Sequence, residues 1–192
     1  QSGCRRYDVT PTRSVGKMVG KLFPLKNVPT IDMTHEPIPQ SSIDVDAVSG
    51  SFFAIRKSLY KELGGLDEDY FLHFEDLDFC RRVREAGYRV VFNPDVSVVH
   101  LGAVSSRVRS VDIVRYKHRS LKTYFRKHLN RYSLTGCVVS SMSQLYVWLR
   151  CLCEFMKPEK RYDNRSDRFE GVWDLTNIND VFVLGEQCRL LY

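Results

Sequence analysis

An acidic cluster stands where a predicted helix begins, directly after an aromatic loop. Its members are Glu75, Asp76 and Asp78. Carboxylates in a first helical turn are favoured by the unpaired N–H groups there, so the cluster could simply stabilise the start of the helix. A carboxylate can also act as a general base that takes a proton from a substrate. The three residues alone leave both interpretations open.

The helix that carries this cluster is indicated by its apolar spacing. Phe79, Val83 and Ala86 recur at intervals of four and three residues. Gly87 follows them, and a helix often ends on a residue at positive φ. Arg82 stands four residues after the last acid of the cluster, a spacing at which the two side chains can form an ion pair. A helix ending at Gly87 is therefore predicted.

A strand interrupted near a glycine is predicted before this helix. Apolar residues alternate over 43–47, and an apolar run follows over 52–55. The break falls at Ser49 and Gly50, and glycine in a strand often marks a bulge or a place where a ligand approaches the backbone closely. A short helix over 57–63, closed by two glycines, comes next.

Two further strands are predicted after the helix, at 88–92 and 96–99, with a turn over 93–95 between them. The second strand ends at His100. A histidine in this position, taken alone, is more often a structural residue at a strand end than a metal ligand.

Basic residues are concentrated in one segment. Residues 101–150 contain ten lysines and arginines and a single acid, Asp112, whereas the whole chain has a net charge of +6. The segment includes a predicted basic helix over 110–130, one face of which would be formed by Val111, Val114, His118, Leu121, Phe125 and Leu129. Such a strip suits an anionic partner, either phospholipid head groups, a pyrophosphate or nucleic acid. Nucleic acid is disfavoured because no recognisable base-reading motif accompanies the charges.

The remaining segments are less informative. Residues 132–149 lack charge but are too polar for a membrane span, so we expect an interfacial helix, or else a solvated helix covering the sheet. Residues 1–40 are rich in proline and glycine and predict an irregular arm, with one possible short helix over 14–23. The six cysteines lack a zinc-binding spacing and suggest a reducing cytosol.

Short motifs follow one another in a fixed order between about residues 45 and 130. They are Asp46-Ala-Val-Ser-Gly50, Gly64-Gly-Leu-Asp67, Phe74-Glu-Asp-Leu-Asp78, Gly87-Tyr88, Pro94, Val99-His100 and Arg126-Lys-His-Leu129. Each motif is weak alone, but the ordered set resembles the family-2 inverting glycosyltransferases, and in particular the rhamnosyltransferase-like branch that builds bacterial surface polysaccharides.

The resemblance implies an α/β fold: the C-terminal, acceptor-side half of a Rossmann-like A-type glycosyltransferase domain, with a small mixed sheet and C-terminal helices. The expected division is an irregular arm over 1–40, the acceptor-side and catalytic half over 41–131, and a helical tail over 132–192 that could associate with a membrane. The nucleotide-binding half, with its metal-binding Asp-x-Asp, has no counterpart before residue 40. Asp44-Val45-Asp46 is not taken for that motif, because it lies just before the acceptor-side strand.

The resemblance also assigns roles to residues near the acidic cluster. Asp76 would be the base that takes the proton from the acceptor hydroxyl. Glu75 would either orient the acceptor or raise the basicity of Asp76 through its like charge. Substrate binding is expected of four residues: Ser49, Gly50, Asp78 and Arg107.

A divalent cation, Mn²⁺ or Mg²⁺, is the implied cofactor, with His100 as a ligand. The aromatic segment 70–74 could form a stacking wall for a sugar ring, although packing beneath the loop is an equally good interpretation.

The implied function is the inverting transfer of a sugar from a nucleotide-diphosphate sugar to a glycan acceptor carried on a polyprenyl pyrophosphate. The expected location is cytoplasmic, peripheral to the inner face of the cell membrane, where an anionic surface would be a partner. Nucleic acid is not expected as a partner. The alternative is a truncated or split product that acts as a non-catalytic scaffold or acceptor-binding module.

Overall fold

The computed structural model describes residues 4–22, 28–96, 110–129, 138, 141–142, 144–149 and 181–184. The helices α1 to α4 have the bounds Pro11–Leu22, Lys57–Glu62, Glu75–Glu85 and Ser110–His128. Six strands have the bounds β1 Arg5–Arg6, β2 Ile43–Asp44, β3 Ala47–Val48, β4 Phe53–Arg56, β5 Val91–Phe92 and β6 Val181–Leu184. These elements confirm the mixed α/β class.

The described strands form three antiparallel pairs. β1 pairs with β3, β2 with β5, and β4 with β6. Every strand pairing among the described residues is therefore antiparallel, and this corrects the prediction of one small mixed sheet. The strand predicted at 88–92 is shortened to Val91–Phe92, although the N–H of Val45 also donates to the carbonyl of Val90 at 2.9 Å.

The N-terminal segment is more ordered than the predicted irregular arm. Val9, Ile31 and Met33 are buried in the same core as α3. The N–H of Tyr7 donates to the carbonyl of Ile31 at 2.8 Å. Helix α1 begins at Pro11, a residue type that suits the first helical position because it has no N–H to satisfy there. Composition missed these contacts because they join residues more than twenty positions apart.

Helix α3 is the central element, and its bounds agree with the prediction. It ends at Glu85, and Gly87 follows with φ of 84°. Phe79 is buried and stacks on Phe53, with ring centroids 5.9 Å apart. The predicted apolar stripe is correct at Phe79 and Val83 but not at Ala86, which is exposed, and the buried apolar face also includes Leu77 and Cys80.

Helix α4 packs beside α3 through a face more polar than predicted. Its most buried residues are Ser120, Thr123, Tyr124 and Phe125. The Ser120 hydroxyl donates to the carbonyl of Leu72 at 2.9 Å, which fastens α4 to the loop before α3. The predicted apolar face is only partly right, because α4 binds loop backbone and charged side chains as well as the core.

The uncharged stretch 132–149 is helical wherever it is described. Its exposed large side chains include Leu145 and Trp148. Of the helices in the described part of the chain, none has the length and apolar character needed to cross a membrane.

Candidate active site

Asp76 is the second residue of α3 and is only 5% exposed. Its Oδ2 accepts hydrogen bonds from the Gly50 N–H at 2.8 Å and from Nη1 of Arg6 at 3.0 Å. Its Oδ1 accepts from the N–H of Leu77 at 2.8 Å. The carboxylate is thus held by three donors from three segments, and it cannot swing freely as a surface carboxylate would.

Gly50 lies against Asp76. The break in the predicted strand at this glycine indicated that some group approaches the backbone closely there. A Cβ at position 50 would stand 3.1 Å from Cβ of Asp76 and 3.6 Å from Oδ2. The close approach therefore requires glycine, and the group that approaches the backbone is the Asp76 side chain.

Ser49, next to this glycine, is buried, and its Oγ accepts hydrogen bonds from the N–H of Ser51 at 3.3 Å and from the Ser51 hydroxyl at 3.0 Å. Its own N–H donates to the carbonyl of Cys4 at 3.1 Å. The structure brings Ser49 and Gly50 to Asp76, whereas their contact with a substrate stays a prediction.

Glu75 is the first residue of α3 and is partly buried beside Asp76. Two consecutive residues before it, His73 and Phe74, have φ of 63° and 75°. This left-handed backbone is costly for residues with a side chain, about 1–3 kcal/mol each, and it persists only where the surroundings enforce it. Such residues cluster at functional sites, and here the strain lies directly before Glu75, one residue ahead of Asp76.

His73 is a neutral imidazole at neutral pH. Burial lowers its pKa to about 4, and the nearby positive charge of Lys117 acts in the same direction, while Asp76 opposes them. A neutral ring beside Asp76 can donate or accept a hydrogen bond. From the sequence, His73 stands out only as part of the aromatic segment 70–74, because its burial and its neighbours in the fold are all that distinguish it from an ordinary loop histidine.

The aromatic loop divides into a buried and an exposed part. Tyr70 is buried, and its hydroxyl donates to Oδ1 of Asp78 at 3.1 Å. Phe71 is 68% exposed and packs against the ring of Tyr116, with centroids 4.6 Å apart. Of these two rings, only Phe71 presents a surface on which a sugar could stack.

Asp78 is completely buried, with 0% exposure, and is surrounded by donors. They are Tyr70, Arg82 at 2.8 Å, Lys127 at 2.9 Å and His128 at 2.7 Å. Burial alone would raise the pKa of Asp78, but the hydrogen bonds from His128, Lys127 and Arg82 outweigh it and hold the pKa well below its ordinary range. Because the ionised carboxylate can only accept hydrogen bonds, Nε2 of His128 must carry the hydrogen that it donates to Asp78.

The prediction that Asp78 binds substrate is corrected, because protein already covers its whole surface. The predicted pairing with Arg82 is present, and Arg82 also donates to the carbonyls of Leu63 and Gly65. Asp78 therefore joins α3 to α4 and to the end of α2. It is a structural residue that positions the helix carrying Asp76.

Asp44 and Asp46 have separate partners. Asp44 forms an exposed ion pair with Arg89 at 2.8 Å. Oδ2 of Asp46 accepts from the N–H of Asp8 at 2.9 Å, and its Oδ1 lies 3.8 Å from Arg84.

The two remaining predicted site residues, His100 and Arg107, lie outside the described residues. Within the described part, no three His, Cys, Asp or Glu side chains lie close enough together to hold a metal ion. Asp76 and Glu75 alone therefore do not make a divalent-metal site, and a cation would need donors from elsewhere. The metal and the role of His100 stay predictions.

Comparison with known proteins assigns the chain to a family. A family model described as "Glycosyltransferase like family 2" matches residues 31–133, more than half of the chain. The chain therefore belongs to glycosyltransferase family 2, and the predicted resemblance is confirmed. The match includes Gly50, Asp76 and the described part of α4, but it begins after the segment that carries Arg6.

Among curated proteins, the chain is similar to two rhamnosyltransferases. It is 34% identical over 89 residues to the N-acetylglucosaminyl-diphospho-decaprenol L-rhamnosyltransferase of two Mycobacterium tuberculosis strains, which covers 46% of this chain and 29% of the relative. It is 37% identical over 67 residues to rhamnosyltransferase WbbL of Escherichia coli K12, covering 33% of this chain and 25% of the relative. The chain thus spans less than a third of the length of these relatives. No solved structure gave a significant match.

Proposed function

We propose that this chain is the acceptor-side half of an inverting glycosyltransferase, with Asp76 as its base. On this view the fold is the C-terminal half of a Rossmann-like domain, and a nucleotide-binding half binds the donor. The observation that carries the proposal is the anchored Asp76 carboxylate, which is fixed at the start of α3 by the Gly50 N–H and Arg6. A base is effective when it is held in hydrogen-bonding reach of the proton that it removes.

The chemistry requires one proton transfer and one displacement. The acceptor oxygen attacks the anomeric carbon of the donor sugar, and the bond from that carbon to the nucleotide diphosphate breaks with its electron pair. The acceptor proton passes to Asp76, and attack opposite the leaving group inverts the anomeric configuration. Glu75, next in the chain, is placed to orient the acceptor.

The substrates can be proposed from the relatives. The name of the mycobacterial relatives specifies L-rhamnose transfer to a decaprenol-linked N-acetylglucosaminyl diphosphate. We accordingly propose a nucleotide-diphosphate L-rhamnose donor and a polyprenyl-diphosphate-linked N-acetylglucosamine acceptor. A divalent cation would neutralise charge on the leaving diphosphate. His100 is its proposed ligand and Arg107 a proposed contact of the pyrophosphate.

A lipid-linked acceptor implies contact with a membrane, and we propose a peripheral location at its cytoplasmic face. The exposed side chains of Leu145 and Trp148 support this location, as do the exposed basic residues Arg119 and Lys122 of α4. Apolar and basic groups together bind anionic interfaces. Flotation with vesicles containing anionic lipid should carry the chain upward, and replacing both apolar residues with serine should reduce this. Equal flotation with neutral vesicles would contradict the proposed contribution of the basic residues to membrane binding.

The test of activity uses the purified chain, Mn²⁺ and the proposed donor and acceptor. Transfer is measured with the chain alone and with a family-2 nucleotide-binding half supplied in trans. Transfer that requires both parts, and a product of inverted configuration by NMR, supports the proposal. The matched pair of variants is Asp76→Asn and Asp69→Asn, since Asp69 is an exposed acid in the preceding loop.

The second candidate is a non-catalytic scaffold or acceptor-binding module. The burial of Asp76 and its ion pair with Arg6 favour it, because a carboxylate with a purely structural role has the same features. In that case the chain would bind the lipid-linked acceptor, and no combination of parts would transfer sugar.

A further inference from the structure

The N-terminal segment reaches the candidate active site through one side chain. Arg6 belongs to β1, which pairs with β3 just before Ser49 and Gly50. Its Nη1 lies 3.0 Å from Oδ2 of Asp76, a residue seventy positions further along the chain. Arg6 precedes residues 31–133, which the family model matches.

The hydrogen bonds of Asp76 are unevenly shared between its two oxygens. Oδ2 accepts from Arg6 and from Gly50, whereas Oδ1 accepts only from the N–H of Leu77 among the described residues. A carboxylate offers about four lone-pair sites, two on each oxygen. Oδ2 is therefore filled, and the remaining site lies on Oδ1.

This division matters because the carboxylate is a planar group with two ends. If one end is held by a charged donor and by a backbone N–H, the orientation of the other end is fixed as well. Hydrogen bonds that involve charged partners are shorter and about twice as strong as neutral ones. The Arg6 side chain retains 22% exposure and the Asp76 side chain 7%, so the pair is largely shielded from water.

We propose that Arg6 is a positioning residue, which holds Oδ2 of Asp76 so that Oδ1 takes the proton from the acceptor. The inference rests on the proposed function, in that it needs Asp76 to be the base. Arg6 acts through Asp76 and has no contact with the sugar. The segment before the family match is then part of the catalytic unit.

The test compares Arg6→Gln, Arg6→Lys and Asp76→Asn in the reconstituted transfer assay. Arg6→Gln should lower kcat by about 10- to 100-fold, since misplacement of a catalytic group by an ångström has effects of this size, and KM for the acceptor should stay unchanged. Arg6→Lys should restore part of kcat, because it keeps the charge but not the planar fork. Arg89→Gln, which breaks an exposed Arg–Asp pair, should leave kcat unchanged.

The double variant decides whether Arg6 acts through Asp76. Combining Arg6→Gln with Asp76→Asn should be no worse than Asp76→Asn alone, because groups that act as a unit are strongly non-additive. Multiplying losses would overturn the inference and assign Arg6 to the substrate. An unchanged kcat in Arg6→Gln, with Asp76→Asn inactive, would overturn it while the proposed function survives. If Asp76→Asn kept full activity, both would fall.

A measurement without turnover tests the contact itself. The melting temperatures of the wild type, Arg6→Gln, Asp76→Asn and the double variant form a double-mutant cycle. The loss in the double variant should be smaller than the sum of the single losses. The same cycle on Arg89 and Asp44, an exposed pair, should be close to additive. Equal behaviour of the two cycles would overturn the inference whether or not transfer is observed.

Discussion

His128, the last residue of α4, donates a hydrogen bond from Nε2 to Oδ1 of Asp78 in α3 at 2.7 Å. The imidazole and the carboxylate are both buried. This contact joins residues fifty positions apart and is reinforced by Lys127 and Arg82. It places α4 against the helix whose second residue is Asp76. The site therefore depends on a buried charge cluster two residues further along the same helix.

Replacing Asp78 with asparagine should destabilise the chain strongly. The change keeps the size of the side chain but leaves Arg82, Lys127 and His128 facing a neutral amide. Removing one partner of a buried ion pair costs about 3–5 kcal/mol of unfolding free energy. Urea unfolding followed by circular dichroism measures it. The control is Asp44→Asn, which removes an exposed pair and should cost less than about 1 kcal/mol. Similar losses for both variants would refute the central place of Asp78.

The same carboxylate should make stability sensitive to acid. Its pKa in the folded chain lies below the ordinary value of 3.8, so the unfolded chain takes up the proton first as pH falls. The stabilisation is fully present above about pH 5 and is lost progressively below it. Unfolding free energies measured from pH 6 to pH 3 should fall more steeply in the wild type than in Asp78→Asn. Parallel curves would show that the folded pKa is not depressed.

His73 should affect stability in a higher pH range. Its pKa falls from 6.5 to about 4 on folding. Between these values the unfolded chain binds more protons than the folded chain, so stability should decline as pH falls from about 6.5 to about 4. Asparagine tolerates the left-handed backbone at position 73, and His73→Asn should flatten the decline. An NMR titration should show the ring neutral down to about pH 4, and a midpoint near 6.5 would contradict the account.

Sequence reasoning succeeded where the signal is local. The end of α3 before Gly87, the short helix α2 and the Asp78–Arg82 pair all depend on residues within a few positions of one another. The interruption at Gly50 was visible as well, although the sequence alone could not tell that a side chain of the same protein fills the space.

The contacts that define the site were not visible in the sequence. Arg6 meets Asp76, Tyr124 donates to Asp8 and His128 meets Asp78 only after the chain has folded. Arginines and histidines are common surface residues, and nothing in their neighbours along the chain marks these as buried partners. The left-handed pair at His73 and Phe74 is likewise enforced by packing, since neither residue type favours that backbone.

Replacing Gly50 with alanine should impair catalysis more than folding. The new Cβ would lie 3.1 Å from Cβ of Asp76, so either the backbone or the carboxylate must shift. A shift would weaken the hydrogen bond from the position-50 N–H to Oδ2, so kcat should fall, and the loss would reach about 100-fold only if the carboxylate moved by about 1 Å. Gly20→Ala is the matched control, since its Cβ would meet Val28 at an ordinary 3.9 Å. Full activity in Gly50→Ala would mean that this hydrogen bond does not position the base.

The most direct measurement is the rate of sugar transfer by Asp76→Asn beside Asp69→Asn, in the reconstituted preparation with equal amounts of folded protein. General-base catalysis contributes about 10²- to 10⁴-fold, so kcat should fall by that factor in Asp76→Asn and stay at the wild-type level in Asp69→Asn. Wild-type transfer by Asp76→Asn, with the same inverted product, would contradict the assignment of Asp76 as the base.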